Sequence, residues 1–337
     1  MKVTVSGLGP HGESPSPPER VVLLPEDIRR AKDRDFRVGI AMHTLDGDWS
    51  RLLLNGMIGT FGESGVVVTE VIDCKFSPDR QIEALERLSA QDLSVLISLP
   101  VANASVAQAH KDISNKGVGL MLLENAPTGL IPGKDYGGLI SADNFGLGQM
   151  AAKALSDFIA PKTKVGVLGF QADFFATNQR ELAFARWMER NRPDIELVST
   201  RFDTVEDAGA VGRRMLQEHP DMAGLFVVWD TPAESVLSEL SELKIPMTTV
   251  DLGKFSATSL ASGGSIVGIA GQHPFKQGVA AARTTISQLL GYKIPEWIAI
   301  PGVPISRATV LEQYQSIWRT IAPQEIRDAF FANQSDP

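Results

Sequence analysis

The sequence predicts an α/β protein of two similar lobes, each a parallel sheet flanked by helices. Two observations carry this prediction. Strand-like and helix-like segments alternate along the chain with short connections rich in Gly, Pro and Asp, which is typical of parallel sheets. Four segments of the first half also recur in the second half, in the same order and about 127–130 positions later. The recurrence indicates that one α/β unit is built twice.

The first two recurring segments are the longest. One has a basic residue, Val-Gly, an apolar strand and a polar loop, and it occurs as RVGIAMHTLDGDW and as KVGVLGFQADFF. The next consists of a strand ending in an acid (Asp73 or Asp203), an amphipathic helix and a second apolar strand. In the second copy that strand ends at Trp229-Asp230, so an aromatic and an acidic residue stand where a buried strand leaves the core.

The other two recurring segments are shorter. A strand ends at Glu124-Asn125 in the first copy and near Asp251 in the second. A helix then begins, as DNFGLGQMAAKAL and as HPFKQGVAAARTT, and Gly148 matches Gly278 in these segments. Since all four segments keep one order and one offset, we predict two similar α/β lobes.

Composition limits the class of protein. The chain has 337 residues, of which 43% are hydrophobic and 21% charged, so it is long enough for two globular domains. Its net charge of −8 argues against a nucleic-acid-binding protein, which would carry a basic face. No apolar stretch approaches the roughly 18 residues of a membrane span. The one cysteine, Cys74, excludes an internal disulfide and follows an apolar run, so we expect a structural thiol.

Residues 1–35 form a leader ahead of the first repeated strand. Pro15, Pro17 and Pro18 make it stiff, and its longest apolar run, residues 21–24, is too short for a secretory signal. Either the signal is missing from this sequence or the protein stays in the cytoplasm. Pro25, followed by acidic and then basic residues, predicts a short helix. We expect this helix to be the only part of the leader that packs.

Motifs of enzymatic chemistry are missing from the sequence. It has no phosphate-binding loop, no zinc-protease motif, no nucleophile elbow and no Cys/His cluster. We therefore expect no catalytic residue, no bound metal and no cofactor. His110 and His219 are expected in solvent, whereas His43 and His273 follow strands and could either contact a ligand or be satisfied within the fold.

The residues that follow the predicted strands are the candidate binding residues, because open parallel sheets bind ligands beyond the carboxyl ends of their strands. These ends supply aromatic rings beside carboxylates, amides and an arginine. Carboxylate and guanidinium groups hold neighbouring hydroxyls, and aromatic faces cover the C–H side of a sugar ring. The mixture indicates a neutral, polyhydroxylated ligand. Asp203 and Asp230 could instead cap helices, and Trp49 and Phe174 could instead pack at a lobe edge.

Residues 36–310 resemble the type I periplasmic solute-binding proteins of sugar ABC transporters, close to the ribose-binding branch. The matching segments are RVGIAMHTLDGDW, LMLLEN, LISADNFGLGQMAA, NQRELAFARWM, RFDTVEDAGAV, HPDMAGLFVVWDTPAE, TTVDLG and GIAGQHPFKQG, and IPGVPISRATV resembles the closing crossover of the family. The resemblance implies two Rossmann-like lobes joined by a hinge of three strands. The hinge would lie near residues 141–143, 272–273 and 302–303, and the lobes would be 36–142 plus 273–302 and 143–272 plus 303–337.

The resemblance, carried over residue by residue, also implies a ligand site. Trp49 would form an aromatic wall from the first lobe, and Phe202 would be an aromatic residue of the second lobe. Arg180 matches the arginine with which the family clamps its ligand. Asp251 and Gln272 match the aspartate and glutamine that bond sugar hydroxyls.

Some positions depart from the family pattern. Glu124 stands where the family usually has an aspartate, and Asn125 replaces the frequent arginine after it. Trp229 replaces the asparagine that precedes Asp230. Together with the strand-end residues His43 and Phe175, the predicted ligand-binding set is Trp49, Glu124, Asn125, Arg180, Phe175, Phe202, Trp229, Asp230, Asp251, Gln272 and His43.

The function implied by the resemblance is capture of a neutral monosaccharide or small polyol in the cleft between the lobes. Closure about the hinge would then precede delivery to the permease of an ABC transporter, by a periplasmic monomer without a nucleic-acid partner. A cytoplasmic sugar-sensing regulator of the same fold is the alternative, although the 35 residues before Phe36 are too few for a DNA-binding headpiece. An enzyme that uses Asp/Glu pairs on a sugar is less favoured, since catalytic motifs are missing.

The segment after residue 309 predicts an accessory structural helix. Its apolar residues recur at helical spacing and give one apolar face, which we expect to pack on a lobe without affecting ligand preference. These residues are Val310, Tyr314, Ile317, Trp318 and Ile321.

Overall fold

A computed structural model of the chain describes residues 5–240 and 245–332, in which strands and helices alternate as the sequence predicts. The strands are β1 (Arg37–Met42), β2 (Val67–Asp73), β3 (Val95–Ser98), β4 (Gly119–Leu123), β5 (Gly138–Ala142), β6 (Lys164–Phe170), β7 (Glu196–Phe202), β8 (Met222–Val227), β9 (Met247–Val250), β10 (Ile266–Gly271), β11 (Trp297–Ile300) and β12 (Val303–Ile305). The helices are α1 (Pro25–Lys32), α2 (Asp48–Glu63), α3 (Pro78–Ser89), α4 (Ala107–Asn115), α5 (Asn144–Ser156), α6 (Phe175–Asn191), α7 (Ala208–Glu218), α8 (Asp230–Glu239), α9 (Lys254–Ala261), α10 (Pro274–Leu289), α11 (Val310–Trp318) and α12 (Gln324–Ala332).

The strands form two six-stranded sheets with matching orders, β11-β5-β4-β3-β1-β2 and β12-β10-β9-β8-β6-β7. Every pairing is parallel except that of β12 with β10, which is antiparallel. The repeat in the sequence is therefore a repeat of structure, and the prediction of two α/β lobes with parallel-dominated sheets is confirmed.

The chain passes between the two sheets three times. It leaves β5 through Asp143 and enters α5, which packs on the second sheet. It returns after β10 through Gln272-His273 into α10, which packs on the first sheet, and it crosses again between β11 and β12. We propose lobe boundaries at these crossings, 36–142 plus 273–302 and 143–272 plus 303–337. Residues 1–4 of the leader, and 241–244 and 333–337 of the second lobe, lie outside the described residues.

The recurring glycines mark where helices approach each other closely. A Cβ atom built on Gly148 of α5 would collide with the carbonyl oxygen of Arg180 in α6, and one built on Gly278 of α10 would collide with the carbonyl oxygen of Leu53 in α2. Only glycine permits this backbone approach. The contact between α5 and α6 holds Arg180 at a defined depth in the second lobe.

The leader packs over a longer stretch than the sequence predicts. α1 forms as expected, but the backbone N–H groups of Ser6 and Gly7 also donate to the Asp143 carboxylate at 2.8 and 3.1 Å. Ser16 pairs with β11, accepting from the Ala299 N–H and donating to the Trp297 carbonyl, both at 3.0 Å. The expectation that only α1 packs is wrong, because β11 is an edge strand whose free backbone groups accept a further segment.

Two other expectations need correction. His110 lies on the buried face of α4, where its ring nitrogens contact Ser98 Oγ and the Val106 carbonyl at 2.8 Å, so it is not in solvent. Burial lowers the pKa of His110 to about 4. The apolar face of α11 is buried at Val310, Tyr314 and Ile317, but the helix ends at Trp318 and Ile321 is 68% exposed.

Cys74 is buried, in agreement with a structural thiol, and burial raises its pKa to about 12.

Within residues 5–240 and 245–332, every helix is too short or too polar to cross a bilayer.

Candidate functional site

A cavity of about 510 Å³ lies where the two lobes meet. The first lobe contributes Trp49, in the first turn of α2. The second lobe contributes Asp230 at the start of α8 and Asp251 after β9, and Gln272 enters from the crossing after β10. The cavity therefore brings together four of the residues predicted from the sequence.

Asp251 is held in place by its backbone and by Gln272. Its φ angle is +74°, unusual for a residue other than glycine, and its N–H donates to the Ala270 carbonyl at 3.1 Å. The Gln272 amide donates to Asp251 Oδ1 at 2.6 Å. Strained backbone of this kind is concentrated at functional positions.

Asp230 and Asp251 form a half-buried acidic pair. Burial is the main cause that raises the pKa of each carboxyl, and the negative charge of Asp251 raises the pKa of Asp230 further. The nearby Arg180 guanidinium opposes the rise at Asp251, whereas Glu124 adds to it. Asp230 Oδ1 also accepts from the Thr231 hydroxyl at 3.4 Å. Asp230 is the first residue of α8 and directly follows the N-cap residue, Trp229.

Glu124 lies deeper than the cavity wall and is 3% exposed. Oε1 accepts from the Ala142 N–H at 2.7 Å and from the Gln277 amide at 2.6 Å, and Oε2 accepts from the Asn144 amide at 2.9 Å. The structure thus ties this carboxylate to the fold through three hydrogen bonds.

Arg180 is also deep, 5% exposed, and connects Glu124 with the cavity wall. Its Nε donates to Asn144 Oδ1 at 2.9 Å, and Nη1 donates to the Val228 carbonyl at 3.2 Å. The same Nη1 lies 3.9 Å from Asp251 Oδ2. A network of polar side chains therefore runs from the first lobe to Asp251 in the second.

Asn125 makes a direct bond between the lobes. It is fully buried, and its amide nitrogen donates to the Pro100 carbonyl at 3.2 Å. Its Oδ1 accepts from the N–H of Phe175, the first residue of α6, also at 3.2 Å. Phe174, beside it, packs against the hydrophobic cluster of the first lobe, so the structure shows the lobes in contact on this side.

The predicted aromatic residues fall into two groups. Trp229 packs against Phe170 and Phe202 with ring centroids 5.3 Å apart in both cases, and Phe202 is fully buried. In the first lobe, His43 packs edge-on against Trp49 at 5.8 Å and against Phe76 at 4.8 Å. Burial lowers the pKa of His43 to about 3, so its ring is neutral.

Two buried polar atoms of the cavity-lining residues have no hydrogen-bond partner among residues 5–240 and 245–332. One is Trp49 Nε1, which can only donate, and the other is Gln272 Oε1, which can only accept. Buried polar atoms are nearly always paired in folded proteins, whereas a donor and an acceptor beside the cavity remain without a partner in the described part of the chain.

The C-terminal helices also line the cavity, which was not predicted from the sequence. Trp318 of α11 lines the cavity, and its Nε1 donates to the Leu252 carbonyl at 2.8 Å. Glu325 of α12 also lines the cavity and pairs with Lys254 of α9 at 2.7 Å. These helices have no counterpart in the repeat, so the repeat could not place them beside the strand ends.

Comparison with known proteins gives consistent matches over most of the chain. Residues 38–293 match the model of a family described as periplasmic binding protein domain. The ribose import binding protein RbsB of Bacillus subtilis is 22% identical over 270 residues, which cover 80% of this chain and 86% of RbsB.

Solved structures share the fold. An ABC transporter solute-binding protein from Agrobacterium vitis, bound with α-D-tagatopyranose, has a TM-score of 0.78 and 20% identity, over 86% of this chain and 100% of that one. A carbohydrate transporter solute-binding protein from Agrobacterium radiobacter, in complex with D-arabinose, has a TM-score of 0.76 and 16% identity, over 84% of this chain and 98% of that one.

Proposed function

This chain belongs to the periplasmic binding protein domain family, and we propose that it binds a neutral monosaccharide or small polyol in the cavity between its lobes. It would act in the periplasm, as a monomer, and deliver the ligand to the membrane permease of an ABC transporter. The family is one of solute-binding proteins rather than enzymes, and we propose no reaction at this site.

The observation that best supports the proposal is the pair of unpartnered atoms, Trp49 Nε1 and Gln272 Oε1. Trp49 Nε1 is a hydrogen-bond donor and Gln272 Oε1 is an acceptor. A hydroxyl group can both accept and donate a hydrogen bond, so hydroxyl groups can pair with either atom. A ligand with several hydroxyls would accept from Trp49 and donate to Gln272. The half-buried carboxyls of Asp230 and Asp251 supply further acceptors for hydroxyl protons.

The position of these groups supports closure around the ligand. Trp49 belongs to the first lobe, and Asp251 belongs to the second. A ligand that contacts both stabilises the closed form by its higher affinity for it. The Asn125–Phe175 hydrogen bond holds the same two lobes together beside the site.

The relatives point to the same ligand class. RbsB is a ribose import binding protein, and the two structural neighbours are bound to tagatopyranose and to D-arabinose. These three ligands are neutral monosaccharides, which supports the same class for this chain.

Thermal shift with a panel of pentoses, hexoses and polyols, followed by isothermal titration, tests the proposal. A ligand at 100 times its Kd would add about 2.7 kcal/mol to the free energy of unfolding. Trp49→Phe keeps the ring but removes the donor, so it should weaken binding of whichever sugar is found. Trp187→Phe is the matched control, because Trp187 packs in another hydrophobic cluster. A panel in which neither sugars nor polyols bind would overturn the proposal.

A further inference from the structure

We propose that the cavity contains a second subsite, at Trp318, which holds a further sugar ring attached to the first. The ligand class would then extend to neutral disaccharides and other glycosides. This inference rests on the proposed function, since it assumes that a sugar occupies the part of the cavity at Asp251 and Gln272.

The size of the cavity is the first support. Even at the loose packing of liquid water, about 30 Å³ per non-hydrogen atom, the roughly one dozen non-hydrogen atoms of a hexose would fill about 360 Å³. The cavity holds about 510 Å³. Because the figure for the first ring is generous, the remaining space is a minimum, and it can take the glycosidic oxygen and part of a second ring that extends toward solvent.

The orientation of Trp318 is the second support. Its Nε1 donates to the Leu252 carbonyl at 2.8 Å, and its ring packs against Tyr314 with centroids 5.8 Å apart. The side chain is therefore fixed from two directions, while part of it remains exposed and lines the cavity. A fixed aromatic face is a suitable surface for the C–H side of a sugar ring, at low cost in side-chain entropy.

The third support is the place of Trp318 relative to the first ring. Leu252, its anchor, directly follows Asp251, so the indole is held one residue beyond the carboxylate that would bond the first sugar. Across the same region, Lys254 and Glu325 form an ion pair with side chains 53% and 60% exposed. This pair offers donors and acceptors to hydroxyls without adding net charge, which favours a neutral second ring.

The match to the family model ends at residue 293. Helices α11 and α12, which form this wall of the cavity, lie after that residue. The first ring would therefore be bound by residues within the family match. The second ring would be bound by residues outside it.

Isothermal titration with monosaccharides and their disaccharides tests the subsite. The pairs are D-galactose with lactose and melibiose, and D-glucose with maltose, cellobiose and trehalose. In the wild-type protein we expect one disaccharide to bind about tenfold more tightly than its monosaccharide. Trp318→Ala should reduce this ratio to about one, whereas Trp187→Ala, a control at another cluster, should keep it. Trp318→Leu, which retains volume without an aromatic face, replaces the alanine variant if that variant does not fold.

The outcomes separate the two proposals. Monosaccharide binding without any gain for a disaccharide overturns the subsite and leaves the proposed function standing. A Trp318 variant that weakens both sugars of a pair by the same factor shows a structural role and also overturns the subsite. If neither monosaccharides nor disaccharides bind, the proposed function falls, and the subsite falls with it.

Discussion

Glu124 and Asp251 occupy equivalent positions in the two lobes and share an unusual backbone conformation. Glu124 follows β4 with φ of +57°, and Asp251 follows β9 with φ of +74°. Each N–H donates at 3.1 Å to a carbonyl of the next strand, Ile140 or Ala270. The left-handed conformation turns the chain sharply where each strand leaves the core. The two side chains differ in surroundings, since Glu124 is tied by three hydrogen bonds and Asp251 lines the cavity.

We predict that Asp251→Ala abolishes sugar binding while the fold survives. The variant removes the carboxylate that accepts from Gln272 at 2.6 Å and that would accept hydroxyl protons of the ligand. Isothermal titration measures the loss, and circular dichroism checks the fold. Asp203→Ala is the control, because Asp203 also follows a strand of the second lobe but is exposed and outside the cavity lining. Retained affinity in Asp251→Ala would contradict the assignment of the site.

Arg180→Lys should weaken binding strongly and should also lower the melting temperature without ligand. Lysine keeps the charge but cannot donate to Asn144 and to the Val228 carbonyl in the same geometry. An unsatisfied buried acceptor costs about 1–3 kcal/mol. Arg186→Lys, an exposed position on the same helix, should change neither quantity. If Arg180→Lys kept full affinity, the connection between this arginine and the site would be refuted.

The sequence predicted the strand ends well because the repeat determines which edges of the sheets converge. Asp230, Asp251, Gln272 and Trp49 follow from that argument, and the structure brings them together. Hydrogen-bond partners from distant segments could not be predicted in the same way. The Gln277 amide, which donates a hydrogen bond to the Glu124 carboxylate, lies 153 positions away in the sequence. No local sequence pattern predicts such a contact.

Other features depended on contacts that leave no periodic signal. His110 is buried because α4 turns that face toward the sheet, although Gln108, Lys111 and Asp112 around it in the sequence are polar. The turn at Lys75-Phe76 places Phe76 beside His43. Both residues of the turn have positive φ although neither is glycine, so the sequence does not predict the turn. Trp318 has the spacing of a core residue, and only the packing of α11 beside Leu252 places it at the cavity.

Asp230→Asn should flatten the pH dependence of stability in the ligand-free protein. Burial and the charge of Asp251 raise the pKa of Asp230 above 3.8, to about 7. Its contribution to stability is therefore complete below pH 3.8 and is lost as the pH rises through the raised pKa. Asparagine does not ionise, so the variant should gain melting temperature relative to wild type at pH 8 more than at pH 5. Calorimetry at both pH values measures the effect, with Asp203→Asn as control. An identical pH dependence of the melting temperature in Asp230→Asn and in the wild type would contradict the prediction.

Deletion of residues 1–20 should lower stability but leave ligand affinity unchanged. The deletion removes the two hydrogen bonds to Asp143 and the pairing of Ser16 with β11. The cavity lining contains none of residues 5–20. Thermal melting should therefore shift downward, while titration of a sugar that binds should give the same Kd. An affinity loss of about tenfold or more would show that the leader supports the site through Asp143.

Anionic sugars should not bind. Five acidic residues line the cavity, against one lysine, Lys254, and Glu124 and Arg180 lie deeper. The five are Asp48, Asp230, Glu234, Asp251 and Glu325. A uronic acid or sugar phosphate would bring further negative charge into a partly dry cavity, where like charges held close cost several kcal/mol. A neutral sugar avoids this repulsion, since its hydroxyls donate to the carboxylates and accept from Trp49. Isothermal titration at constant ionic strength should therefore show binding for D-glucose, D-galactose or D-ribose but not for the matched D-glucuronate, D-galacturonate or ribose 5-phosphate. Tight binding of an anion, with no binding of its neutral partner, would mean that the charge of the site has been assigned the wrong role.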